Sequence, residues 1–150
     1  MDMIEHITPS NRGDSVAVTM PPLDALARQW PLIEPLLRRA TDRWSCYEPV
    51  DVLQRVMLGQ LALWTVVEDT ELVAVIVTEA RQYPRCRVLE VLFVGGKGNA
   101  VQRWYQPVLD ALDRQAEAAG CDHIAAFGRR GWQRMGFEVT GVTLMRRLRG

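Results

Sequence analysis

The sequence predicts a mixed α/β (α+β) domain in which a central sheet carries helices on both faces. Three observations point there. Two amphipathic helical patterns come first; three strand-like runs, almost wholly apolar, follow; then one long helical pattern separates the third run from a fourth. Apolar residues make up 48% and charged residues 24% of the 150, enough to bury a core without disulfides or metal. We read residues 1–22 as an N-terminal arm and residues 23–150 as a single domain.

The arm, Met1 to Pro22, has no core periodicity and contains the loop composition Ser10-Asn11-Arg12-Gly13-Asp14. An arm of this kind is expected to be held by a neighbouring subunit. From Leu23 to Ala40 the residues Leu26, Trp30, Ile33, Leu37 and Ala40 recur at helical spacing. Pro31 and Pro35 each remove a backbone donor, so a kink or two short helices is expected there. A second helix begins with Pro49, runs through Val52, Leu53, Val56 and Met57, and stops at Gly59.

Strands are expected over Leu61–Val67 and Leu72–Thr78, joined by the turn Glu68-Asp69-Thr70-Glu71 as a hairpin. Apart from Thr65 and Thr78 both runs are nearly all apolar, which requires cover on each face. A third strand, Val88–Val94, leads into Gly95-Gly96-Lys97-Gly98 and then a helix from about Ala100 to Ala119. Asn99 is its expected cap, with Gln102 at capping-box spacing. Val101, Trp104, Tyr105, Val108, Leu112, Ala116 and Ala119 form its apolar face, Pro107 should bend it, and Gly120 ends it. His123–Phe127 is the next strand, Trp132–Met135 a helical turn, and Phe137–Leu148 one or two closing strands around Gly141. The order is α-α-β-β-β-α-β-α-β.

Net charge is zero, so no global field draws nucleic acid or anionic lipid, and nucleic acid is not expected as a partner. No run of about 18 apolar residues or apolar leader is present, so no membrane span and a cytoplasmic location are expected. Cys46, Cys86 and Cys121 fit neither a zinc site nor a redox pair and read as small buried hydrophobes. His6 and His123 are too few for a metal site, and neither lies near a nucleophile elbow. Arg129, Arg130, Arg134, Arg146, Arg147 and Arg149 make the C-terminal third basic; a solvated face is the commoner meaning of such a run.

The element order, the glycine loop ahead of the longest helix and Arg134-Met135-Gly136-Phe137 resemble the GNAT (Gcn5-related N-acetyltransferase) superfamily over Leu23 to Leu148. Gly128-Arg129-Arg130-Gly131-Trp132 is similar to a segment of small GNAT-like proteins encoded by phages and prophages. The resemblance implies a mixed central sheet flanked by helices and binding of acetyl-CoA or another acyl-CoA. Family members hold the coenzyme's pyrophosphate on a Gln/Arg-x-x-Gly-x-Gly/Ala loop, where backbone donors and the helix dipole meet one anion. The matching residues are Val94, Gly95, Gly96, Lys97, Gly98, Asn99 and Ala100. Gly98-Asn99-Ala100 keeps the second half of the motif. Gly95 stands where Gln or Arg would be, and Lys97, the only lysine, can supply a charge instead.

For the general base the resemblance implies Glu90, with Glu79 as runner-up; the plain alternative is that Glu90 faces solvent or pairs with Arg87 or Arg81. The family's acid, a tyrosine four residues before the Gly-Phe pair, is replaced by Trp132, which can donate a hydrogen bond but cannot release a proton. Two functions follow. The first is an acyl-CoA-dependent N-acyltransferase of undefined acceptor. The second is a non-catalytic phage or prophage structural or assembly protein that keeps the fold, with the arm contacting a homo-oligomer or virion neighbour.

Overall fold

The computed structural model describes residues 15–43, 46–97, 101–126, 137–139 and 146–147. Its elements are β1 (Val16–Thr19), α1 (Leu23–Thr41), α2 (Pro49–Met57), β2 (Ala62–Glu68), β3 (Glu71–Gln82), β4 (Arg87–Gly96), α3 (Val101–Ala118) and β5 (His123–Ala126). The helical turn expected at Trp132–Met135 and most of the closing strand segment lie outside the described residues.

Among the described residues the strands form one five-stranded sheet in the order β1-β2-β3-β4-β5. The first three pairings are antiparallel, and β4 with β5 is parallel. A parallel neighbour requires a crossover, and α3 is that crossover. Both faces of the sheet are covered, as the apolar runs required. Leu26, Ile33, Leu37, Val52, Leu63, Val75, Val77 and Phe93 form a core with α1 and α2, while Trp64, Val66, Ile76, Leu89, Val91, Trp104, Val108 and Leu112 form a second against α3. The two polar exceptions are satisfied where they lie. Thr78 accepts a hydrogen bond from Trp64 Nε1 at 3.0 Å, and Thr65 meets Thr19 hydroxyl to hydroxyl at 3.4 Å.

Three expectations need correction. Part of the segment read as an arm is sheet: Val16–Thr19 pairs with Thr65–Glu68, so the chain's own β2 holds it. Four residues are too few to declare a period, and their β-branched composition was the only signal. Next, α1 is one helix of 19 residues despite Pro31 and Pro35. The backbone bonds these prolines forgo would end on the carbonyls of Ala27 and Pro31, both on exposed residues where water can serve. Finally, Cys46 is exposed, and Cys86 and Cys121 are only partly buried.

The helix ends follow local chemistry. At α2, Glu48 and Asp51 form a reciprocal capping box around Pro49, and Gly59 takes the left-handed turn (φ 76°) that stops the helix. Arg103, in the first turns of α3, grips Glu68 at the end of β2 through two hydrogen bonds of 2.6 and 3.1 Å. That hydrogen bond holds the Glu68 carboxyl below its ordinary value of 4.5, outweighing the opposing effect of burial. A lowered carboxyl contributes stability above its unfolded-state value and loses it as pH falls through the folded one. Glu68→Gln should therefore cost up to about 1 kcal/mol at neutral pH and progressively less as acid protonates the Glu68 carboxyl, compared by urea unfolding at neutral and at acid pH. An equal gap at both would rule out the ion pair as its source.

Candidate functional site

The chemistry gathers along β4. From Arg87 to Val91 this strand pairs residue for residue with β3, but Thr78 faces Val91 while Val77 faces Phe93. Leu92 is the extra residue of a β-bulge. The slip changes which side chains face which way: Leu89 and Val91 pack toward α3, whereas Phe93 packs toward α1 and α2. By the same alternation Glu90 lies on the α1/α2 face, one residue before the bulge begins to turn the chain.

Both sequence-predicted carboxylates meet here. Glu79 and Glu90 are direct partners across the β3–β4 ladder, which puts their side chains on one face. Glu90 is 3% exposed, far inside the range where a carboxylate needs partners. Its Oε2 accepts a short hydrogen bond from the Tyr83 hydroxyl, and its Oε1 lies 3.6 Å from a guanidinium nitrogen of Arg81. Oε1 has no hydrogen-bond partner among the described residues. The alternative reading of Glu90 as an ion-pair residue thus holds for Arg81 as well, while Arg87 is occupied elsewhere. Arg87 donates to the Ala119 carbonyl, and its backbone exchanges bonds with Asp122, pinning the end of α3 and the start of β5 to β4.

Glu90 also perturbs its neighbours. The Tyr83 phenol is raised above its ordinary value of 10.0, chiefly by its hydrogen bond to Glu90, because ionising it would set a phenolate against a carboxylate. Arg81 is likewise raised, first by the Glu90 charge. Toward α2, Phe93 meets Tyr47 edge to face at 5.3 Å, and Arg55 lies over the Tyr47 ring.

The expected coenzyme loop is only partly in view. Gly98, Asn99 and Ala100 lie outside the described residues, as does Trp132. Val94, Gly95 and Gly96 are strand, with Gly95 opposite Val75 and Gly96 opposite Ala74, so the turn begins later than the glycines suggested. Gly95 has a structural duty. A Cβ there would penetrate the Leu36 carbonyl of α1 and lie 3.5 Å from the Leu37 Cα. Lys97 donates its amide to Val73 O at 3.0 Å, and its ammonium is 2.5 Å from Glu71.

Two residues that sequence reasoning missed stand beside these. Arg39, near the end of α1, donates to the Gly96 carbonyl at 2.9 Å and brings a second cation to the end of β4. Tyr83 follows β3 directly in a connection that no strand pattern marks. The residues fit an anionic group at this end of the sheet: Arg39 and Lys97 are solvent-facing cations, and the buried indole nitrogen of Trp104 has no hydrogen-bond partner among the described residues. Trp104 also bounds Gly96, whose added Cβ would sit 3.1 Å from its ring. No group of three or more potential metal-ligating side chains occurs among the described residues, and no helix among them is long and apolar enough to cross a membrane.

No family model matches the sequence, and no curated protein matches it significantly. Solved structures do match in shape. An aminoglycoside N-acetyltransferase, AAC(6')-Iy, solved in complex with CoA, superposes with a TM-score of 0.67 at 16% identity over 95% of this chain and 100% of its own. A ribosomal-protein-alanine N-acetyltransferase from Brucella melitensis biovar Abortus gives 0.66 at 14% identity, covering 89% and 99%. A GNAT family acetyltransferase from Staphylococcus aureus gives 0.62 at 9% identity, covering 89% and 98%. At such identities the likeness is one of architecture, and the architecture is unambiguous: a mixed five-stranded sheet between helices, folded as the GNAT acetyltransferases are.

Proposed function

We propose that this protein is an acyl-CoA-dependent N-acyltransferase whose general base is Glu90. The observation that carries the proposal is a buried carboxylate with one oxygen lacking a hydrogen bond among the described residues, set just ahead of the β4 bulge in a GNAT fold. An amine attacks a carbonyl only after losing its proton, and a carboxylate screened from water and fixed by neighbours is suited to take it. At the bulge, Leu92 alone lacks a partner in the β3 ladder, and an amide donor released in this way suits an oxygen that gains charge during acyl transfer. Arg39 and Lys97 would hold the coenzyme's phosphates, Lys97 exchanging Glu71 for them at little cost because exposed ion pairs are weak. When bound, the coenzyme supplies a thioester, whose acyl carbon is the electrophile and whose thiolate, from a thiol with pKa about 8.5, leaves with little need of an acid. Trp132 in the place of the family's acid is compatible with turnover on that account.

The test is thermal denaturation with and without acetyl-CoA. Ligand at about 100 times its dissociation constant adds roughly 2.7 kcal/mol, a clear rise in Tm. An unchanged Tm at millimolar acetyl-CoA would remove the basis for the reading.

A further inference from the structure

We infer that Tyr83 is a positioning residue for Glu90: its phenol holds Oε2 and so leaves Oε1, which has no hydrogen-bond partner among the described residues, as the oxygen that receives the proton of the acceptor amine. The inference rests on the acyltransferase reading and adds to it a residue that the resemblance does not supply.

The placement is specific. Tyr83 is the first residue after β3, and the short connection that carries it is braced: its amide donates to the Cys86 carbonyl at 2.8 Å, and the Gln82 side chain donates to the Tyr83 carbonyl at 2.8 Å. From there the ring reaches back over the sheet to Glu90, seven residues on, while the Arg81 guanidinium covers it at 5.7 Å from the centroid. Tyr83 is 38% exposed and Glu90 3%, so the phenol stands between the carboxylate and solvent.

The chemistry separates the two oxygens. A neutral phenol gives a carboxylate a strong charge-assisted bond without adding charge, fixing rotation about the last side-chain torsion. Arg81 contributes charge at 3.6 Å, too long for a close hydrogen bond, and half of its side chain is in solvent. It can swing aside as a cationic amine arrives. Glu79, opposite Glu90 and partly exposed, is the other charged group acting on the pair, and β5 presents only Ala125 beside Glu90. A carboxylate bonded at both oxygens would have little capacity left for substrate. One bonded at a single oxygen has a defined direction of attack.

In the proton transfer an ammonium N–H bond breaks and an O–H bond forms at Oε1; the amine keeps the electron pair with which it attacks, and Tyr83 keeps its proton throughout. Tyr83 is thus separable from Glu90 by experiment. The full-length protein carries three tyrosines and can be labelled with 3-fluorotyrosine, so that 19F NMR resolves each phenol. The Tyr83 signal, recognised by its loss in Tyr83→Phe, should ionise at clearly lower pH in Glu90→Gln than in the wild-type background. In parallel, Tyr83→Phe should lower kcat about tenfold with KM for acetyl-CoA unchanged, a loss confined to the chemical step with coenzyme binding intact. Where acetyl-CoA stabilises the protein, an unmoved Tyr83 midpoint or an unchanged kcat in Tyr83→Phe overturns the positioning role alone. Where it does not, the role falls together with the acyltransferase reading.

Discussion

Gly95→Ala is expected to destabilise the protein by about 3 kcal/mol, or roughly 6–12 °C in Tm, the upper part of the range for overpacking. The added methyl would meet the Leu36 carbonyl, which is backbone within a continuous helix and cannot rotate away. Relief requires lifting α1 off β4, which opens the core of Leu37, Val75 and Phe93. Gly96→Ala is the internal comparison. Its Cβ meets the edge of the Trp104 ring at 3.1 Å, a side chain that can shift by tenths of an ångström, so its cost should stay under about 1 kcal/mol. Paired urea titrations decide the matter, and equal losses for the two variants would contradict the account. The result also bears on function, since Gly95 is then explained by helix packing and need not touch coenzyme.

Glu90→Gln is expected to reduce kcat by about 100-fold or more, the usual worth of a positioned base, while the stabilisation by acetyl-CoA persists. The amide keeps the shape of the carboxylate and can still accept from Tyr83, so the fold should survive. Glu79→Gln should cost far less. Glu79 shares the face of Glu90 but is partly exposed, and no hydrogen bond fixes its carboxylate among those described. Thiol release from acetyl-CoA, measured with a panel of amines, gives both numbers. A Glu90→Gln enzyme within a few-fold of wild type would mean that water or Glu79 serves as base. Retained activity together with a lost acetyl-CoA shift would instead place Glu90 in coenzyme binding.

The resemblance to phage-encoded proteins drew on Gly128–Trp132, outside the described residues. The idea that a neighbour holds the N-terminal arm loses its motive for Val16–Thr19, because β2 already supplies the hydrogen bonds.

The sequence by itself determined the architecture. Apolar runs without alternation demanded a sheet covered on both faces, because a strand carries its burial pattern in its own residues. The resemblance singled out Glu90 and Glu79, while the residues alone left open whether Glu90 faces solvent or pairs with Arg87 or Arg81. Tertiary structure alone decided how these act. That the two glutamates face each other depends on a register set by strand ends beyond Thr78, where the apolar signal fades into Glu79-Ala80-Arg81-Gln82. Tyr83 in a connection and Arg39 on a helix reach β4 only through chain reversals and packing, and local pattern holds no record of either. The glycines mark the limit most clearly. Gly95 and Gly96 read as a phosphate loop because a missing side chain looks the same whatever approaches it; here what approaches is the backbone of α1 and the ring of Trp104.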